Sequence, residues 1–160
     1  MTAALEHLKI AEEGKRAALR GDHRTALGLY REAMHRAVSS AAPEVFFRHY
    51  LEASIESLEL LEAFDSVLEY CDRAVAHYAA HPPAHAFAEF DLASIHQRRG
   101  ATWLKLGQAE AARTDFDLAI AGARRAGARC ELAERLLDWV RRGLSVSKER
   151  IVAEQKRLRC

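Results

Sequence analysis

The stretch GATWLKLGQAEAARTDFDLA, from Gly100 to Ala119, contains the pattern that best indicates how this chain folds. Gly107 divides it into two helical runs, because glycine just past a helix adopts the left-handed conformation at the least steric cost. Small and aromatic residues recur at helical spacing: Gly100, Trp103 and Leu104 on the first run, and Ala112, Phe116 and Ala119 on the second. Small residues let two helices approach closely and aromatic rings fill the remaining volume, so the stretch predicts a packed helix hairpin.

The same pattern occurs twice earlier in the chain. The first copy reads Gly14-x2-Ala17, Gly21, Ala26-x3-Tyr30-x2-Ala33. The middle copy is degenerate and reads Ile55-x2-Leu58, Glu62, Val67-x3-Cys71-x2-Ala74. Equivalent positions 14, 55 and 100 are 41 and 45 residues apart. The sequence therefore predicts three related hairpins, and the middle one needs a break near Glu62 and Ala63 that no glycine enforces.

The repeated pattern resembles the second half of the tetratricopeptide repeat (TPR) signature. Two positions depart from it, since His96 stands where the family has Trp and Arg99 stands where it has Leu before the glycine. The resemblance implies an all-α, right-handed α-solenoid of about three helix–turn–helix hairpins plus one or two C-terminal capping helices. The implied single domain covers residues 1–160, with repeats at about 7–40, 48–81 and 93–126 and capping helices at about 130–142 and 148–159.

Caps and helix breakers predict the positions of eight helices. Thr2 caps the first helix, which includes Leu5, Leu8 and Leu19 among its apolar positions, and Phe87 and Phe90 are predicted to face inward from the fifth. The predicted helices run over about residues 2–19, 23–38, 43–61, 64–80, 84–106, 108–125, 130–142 and 148–159.

Composition agrees with an all-helical chain. Of 160 residues, 49% are hydrophobic and 29% are charged, with only 3 prolines, so one folded helical domain is expected. No run of 18 apolar residues exists, and the first residues carry acids and histidine where a signal peptide needs an apolar core. The 3 scattered cysteines fit a reducing compartment. We therefore expect a cytoplasmic, bacterial-type protein that does not contact a membrane.

Charge is distributed unevenly although the formal net charge is only +1. From Glu44 to Asp72 there are eight acids against Arg48 alone. The small net charge argues against nucleic acid as a partner, and the basic last helix has no aromatic side chain on which bases could stack.

In the TPR family the first helix of each hairpin lines a concave groove, and the repeat register carries those positions over to this chain. The groove positions expected to contact a partner are Lys15, His49, Glu52, Glu56, Glu59, Gln97, Arg98 and Lys105, and the register also places Glu12 in the groove. Glu52, Glu56 and Glu59 are spaced i, i+4 and i+7, so they share a helix face and repel one another. A basic partner segment would relieve that repulsion. The alternative is a solvated face with no specific role.

The predicted function is a non-enzymatic adaptor or scaffold that binds a segment of another protein, without a cofactor, metal or small-molecule substrate. No Gly-rich phosphate loop, HExxH or GxSxG motif is present. His77, His81 and His85 have helical spacing, but Pro82 and Pro83 interrupt it, so we expect capping or solvent-facing histidines. Three alternatives stay open. One is a self-assembling homo-oligomer that pairs through solenoid ends or an apolar patch at Phe46, Phe47 and Tyr50. Another, a narrower form of the adaptor, is a secretion-type chaperone, and the third is contact of the basic last helix with RNA or a membrane.

Overall fold

The computed structural model describes the backbone from Ala3 to Cys160 and the side chains from Leu5 onward. Within this part of the chain it contains eight α-helices and no strand, so the all-α prediction is confirmed. The helices are α1 (Ala3–Leu19), α2 (His23–Ser39), α3 (Glu44–Leu60), α4 (Phe64–Ala80), α5 (Ala86–Lys105), α6 (Ala109–Arg125), α7 (Glu131–Arg141) and α8 (Lys148–Leu158). The predicted cap at Thr2 lies outside the described residues. Repeated helix hairpins make up the structure, an arrangement compatible with a TPR-like solenoid.

The described chain divides into two compact units, one ending at Ser66 and the other beginning at Val67. In the first unit, α2 packs against both α1 and α3. In the second unit, α6 packs against α5 and α7, and α8 packs against α7 and α5. Ile151 of α8 is fully buried in the same apolar cluster as Phe116 and Leu136, so α8 belongs to the core of its unit and does not project from it.

Close approach of two helices at glycine, predicted from the repeated pattern, is present in both units. A Cβ atom added to Gly100 of α5 would lie 2.6 Å from Cε1 of Phe116 in α6. The equivalent Cβ at Gly14 of α1 would lie 2.8 Å from Cε1 of Tyr30 in α2. Both distances are shorter than atoms can tolerate, so only glycine allows the ring to pack flat on the facing backbone.

The turns between paired helices share one hydrogen-bonding pattern. After α1, Gly21 has a φ of +80° and the next amide, Asp22 N, donates to Ala17 O at 2.9 Å. After α5, Gly107 has a φ of +78° and Gln108 N donates to Trp103 O in the same way. These bonds satisfy carbonyls that the helix end leaves open.

The predicted break between α3 and α4 is confirmed, and it forms without glycine. Glu62 adopts a φ of +57°, and Ala63 N donates to Leu58 O at 2.9 Å, which is the pattern made by Gly21 and Gly107 elsewhere. A left-handed conformation is uncommon for a residue with a side chain and costs about 1 kcal/mol. The turn therefore forms against the local preference of Glu62 for a right-handed conformation.

Both departures from the TPR signature contact one buried carboxylate. Asp115 of α6, with its side chain 3% exposed, bonds to His96 Nδ1 at 2.9 Å and accepts two bonds from Arg99, each 2.8 Å long. Arg99 also donates to Asp72 of α4 at 3.1 Å. Burial acts to raise the pKa of Asp115, but the bonds from His96 and Arg99 outweigh it and hold that pKa below its usual range. Residues that look like defects in the repeat thus form an ionic network between α4, α5 and α6.

We expect Gly100→Ala to lower the free energy of unfolding by about 1 to 3 kcal/mol, because the new methyl group overlaps the buried ring of Phe116. Gly28→Ala is a matched control: Gly28 also lies inside a helix, but nothing is within 4 Å of the added Cβ. There the higher helix propensity of alanine should stabilise the protein by up to about 1 kcal/mol. Urea denaturation followed by circular dichroism measures both. Equal effects of the two substitutions would contradict the close packing.

We expect Asp115→Ala to cost about 3 kcal/mol, because it leaves Arg99 partly buried without its main carboxylate. Asp117→Ala on the same helix removes only the exposed pair with Arg141 and should cost less than about 1 kcal/mol. Since the folded pKa of Asp115 is lowered, its stabilising contribution is present above about pH 4 and is lost as the pH falls through the folded pKa. Urea denaturation at pH 7 should therefore give different free energies of unfolding for the two variants, and the difference should shrink below pH 4.

Candidate partner-binding surface

The eight predicted groove residues lie on three helices in two units. Lys15 is on α1 and the residues from His49 to Glu59 are on α3, all in the first unit, whereas the others are on α5 in the second. The side chains on α1 and α3 are more exposed to solvent than those on α5.

The acidic face of α3 is mostly directed to solvent. His49, Glu52 and Glu56 are exposed, while Glu59 is partly buried and its Oε1 is a buried atom. Only the first two of the three acids therefore present their carboxylates fully at the surface. Glu59 has a structural role in addition to any role in recognition, and a charge reversal there would disturb the interior.

Carboxylates from α1 and α3 come within electrostatic range of one buried hydroxyl. Tyr30 of α2 is almost fully buried, and this burial is the main cause that raises the pKa of its phenol. The carboxylates of Glu56 on α3 and Glu12 on α1 raise that pKa further. Glu12 also lies 3.9 Å from Lys15 Nζ, both side chains being about half exposed. We call the exposed carboxylates of Glu12 on α1 and of Glu52 and Glu56 on α3 the Glu12–Glu56 surface.

The predicted residues of α5 are engaged inside their own unit. Gln97 Oε1 accepts a hydrogen bond from Ala133 N at 3.0 Å, so its side chain caps the first turn of α7. Arg98 is partly buried and lowers the pKa of the Cys160 thiol against the larger effect of burial. Lys105 is only 8% exposed. A partner could reach these side chains only by replacing contacts that the unit already makes.

Exposed apolar residues flank the acids, and the sequence pattern did not identify them. Val45 and Leu60 lie near the two ends of α3, and α1 exposes Leu5, Leu8 and Leu19, the last of them 88% exposed. All these residues fall on helical spacing, so the period alone could not distinguish an outward apolar stripe from an inward one. Two of the inward assignments were wrong in α5, where Phe87 is 66% and Phe90 38% exposed.

The apolar patch expected at Phe46, Phe47 and Tyr50 is not a surface patch. Tyr50 is buried and its hydroxyl lies 2.7 Å from His7 Nδ1 of α1. The ring of Phe46 packs 5.1 Å from the ring of the same histidine and against the core of the first unit. Tyr50 and Phe46 therefore pack inside the first unit and are not free to form the expected patch, whereas Phe47 is partly exposed.

The three spaced histidines have ordinary local roles. His85 Nδ1 accepts from Ala88 N at 3.2 Å and caps α5, which confirms the expectation of a capping histidine. The rings of His77 and His81 stack with their centroids 4.8 Å apart. Across residues 3–160, no group of three His, Cys, Asp or Glu side chains is arranged to hold a metal ion.

Comparisons of the chain with protein-family models, curated proteins and solved structures gave no match. None of the helices in the described part of the chain is both long and apolar enough to cross a membrane.

We expect Glu56→Gln to lower the pKa of Tyr30, because it removes a negative charge that opposes ionisation of the phenol. That pKa should remain above 10.0, since burial is the larger cause of the shift. Carbon NMR of labelled tyrosine rings across pH 8 to 12 resolves each residue as it titrates. Glu69→Gln on α4, whose carboxylate pairs with Arg73, is the control and should leave the Tyr30 pKa unchanged. An unaltered pKa in Glu56→Gln would contradict the shared surface.

Proposed function

We propose that this protein is a non-enzymatic adaptor that binds a basic segment of another protein on the Glu12–Glu56 surface. The observation that supports this most directly is that the acids Glu12 of α1 and Glu52 and Glu56 of α3 are exposed within one unit. Exposed like charges on neighbouring helices repel one another, and a lysine- or arginine-rich segment would convert that repulsion into attraction. The surface reaches solvent without displacing any core contact, unlike the predicted residues on α5.

The partner segment should carry two basic side chains about one helical turn apart. Glu52 and Glu56 are separated by four residues on α3, so their Cβ atoms are roughly 6 Å apart. A helical segment with Lys or Arg at i and i+4 matches this spacing, and its apolar side chains could cover Val45 and Leu60 at the ends of the acidic stretch. Affinity should fall as the salt concentration rises, because exposed charges are screened.

The proposal includes the finer assignment of the fold as a right-handed TPR-type solenoid of three hairpins with capping helices. It is supported by the glycine–aromatic contact that recurs at Gly14 and Gly100 and by the common turn after α1, α3 and α5. A cytoplasmic location and the absence of a catalytic role or cofactor belong to the same proposal.

The test compares wild-type protein with a Glu52→Lys, Glu56→Lys variant in affinity capture from the native cell extract and in binding to a helical peptide that carries Lys at i and i+4. We expect the variant to lose the basic partner and to bind the peptide at least about tenfold more weakly. Glu59 is left unchanged because one of its oxygens is buried.

The matched control is Glu13→Lys, Glu44→Lys, which makes the same change in net charge on exposed positions of α1 and α3. Circular dichroism should show equal helicity in all three proteins. If the control loses the partner to the same extent, net charge and not the Glu12–Glu56 surface determines binding. Retention of the partner in both variants would refute the proposed site.

Self-association is a second candidate function, favoured by the exposed leucines of α1. Leu5, Leu8 and Leu19 share one face of that helix and remain accessible in the monomer. An exposed apolar stripe of this kind is typical of an interface between protein surfaces. Sedimentation at high concentration, with Leu5→Glu, Leu8→Glu as the comparison, distinguishes the two functions. A wild-type monomer at high concentration would exclude this candidate.

A further inference from the structure

Cys130 and Cys160 lie at the same end of the helix pair formed by α7 and α8. The two helices have 11 residues each, so at about 1.5 Å per residue they are equally long. A short connection joins them, and they pack against each other. Between them, Arg135 Nε lies 3.3 Å from Glu154 Oε1. Cys130 precedes Arg135 by five residues and Cys160 follows Glu154 by six, so this ion pair brings both cysteines to the same end.

The chain turns back at the end of α8 and holds Cys160 against the helix. Arg159 adopts a φ of +57°, and Cys160 N donates to Gln155 O at 2.9 Å. The sulfur of Cys160 lies 3.5 Å from Leu158 O. The residue is thus bonded through its backbone to the last turn of α8, while its side chain is exposed to solvent.

The surroundings of the two thiols overlap. Leu158, two residues before Cys160, packs against the apolar cluster that contains Cys130. Burial raises the pKa of the Cys160 thiol, and the carboxylate of Glu131, the residue after Cys130, raises it further. Burial raises the pKa of Cys130 to about 11, and Cys160 is the next largest influence on it. Each thiol therefore lies within electrostatic range of the other or of its immediate neighbour.

We propose that Cys130 and Cys160 form an intramolecular disulfide when the protein is exposed to a peroxide, which makes this end of the α7–α8 pair a redox modification site. Cys130 is 3% exposed and cannot meet a large oxidant, whereas Cys160 is exposed and can. Cys71 is fully buried on α4 and takes no part in the reaction.

The chemistry balances with hydrogen peroxide as the oxidant. The Cys160 thiolate attacks one peroxide oxygen, the O–O bond breaks, and hydroxide leaves to give a sulfenic acid. The Cys130 thiolate then attacks the Cys160 sulfur, so the S–S bond forms, the S–O bond breaks, and a second hydroxide leaves. Each hydroxide takes up one of the two protons that the thiols released. In total, two thiols lose two electrons and one peroxide is reduced to two waters.

Formation of the bond should be slow at neutral pH and faster in alkali. Burial raises the pKa of both thiols, so only a small fraction of each is thiolate at pH 7. Where ionisation of one thiol limits the rate, the rate should rise about tenfold for each pH unit up to its pKa. Once formed, the bond ties the end of α8 to the start of α7 and should raise the melting temperature by about 5 to 10 °C.

In the test, the folded protein is treated with hydrogen peroxide at pH 7 and at pH 9, and the remaining thiols are blocked with iodoacetamide. The protein is then cleaved, without reduction, by a protease that cuts after lysine. Cleavage then separates the peptide of residues 106–148, which contains Cys130, from the peptide that begins at Arg157 and contains Cys160. We expect the two to be joined in the monomer, sooner at pH 9, and to separate on reduction. Cys71→Ala should form the same link, because Cys71 is not part of the pair.

The comparison variant is Cys160→Ser, which changes an exposed side chain and so should not affect folding. It should form no link and show no rise in melting temperature after peroxide treatment. The proposal is overturned if Cys130 in wild-type protein is recovered alkylated while Cys160 is oxidised further to sulfinic acid. It is also overturned if Cys160 appears only in covalent dimers.

Discussion

Contact between a glycine of one helix and an aromatic ring of the next determines how the helices of each unit pack. In α5 and α6 the pair is Gly100 and Phe116, and in α1 and α2 it is Gly14 and Tyr30. The ring is buried and lies where any side chain on the facing residue would have to be. Because the alanines on either side of each ring are also buried, the helices approach closely along the whole contact.

The middle copy of the pattern is degenerate at both of these positions. Ile55 of α3 stands at the glycine position and Cys71 of α4 at the aromatic position, and each is buried within its own unit. The turn of this copy has the same left-handed backbone as the other two, and Glu62 adopts the positive φ that Gly21 and Gly107 adopt there.

Charged residues serve two different purposes in this protein. Around Asp115 they are buried and paired with geometry good enough to offset the loss of solvation, and they connect three helices of the second unit. On the Glu12–Glu56 surface the charged side chains are exposed, and Glu12 lies near Lys15. A buried pair stabilises the fold, whereas an exposed carboxylate can be reached by a partner. This difference is the physical basis for placing recognition on the first unit.

The all-helical class, the bounds of the helices and the small and aromatic packing positions could be predicted from the sequence alone. In the described chain the predicted bounds lie within two residues of the observed helix ends. These properties follow from local rules: the helical period, glycine after a helix, and proline before one. Which apolar residues face solvent is seen only in the tertiary structure, because Leu19 and Phe87 have the same helical spacing as buried residues. The same holds for three contacts: Gln97 caps α7, Tyr50 bonds to His7, and His96 and Arg99 both bond to Asp115. Each of these contacts joins residues 16 to 43 positions apart, and no local pattern contains information about a partner so distant in the chain.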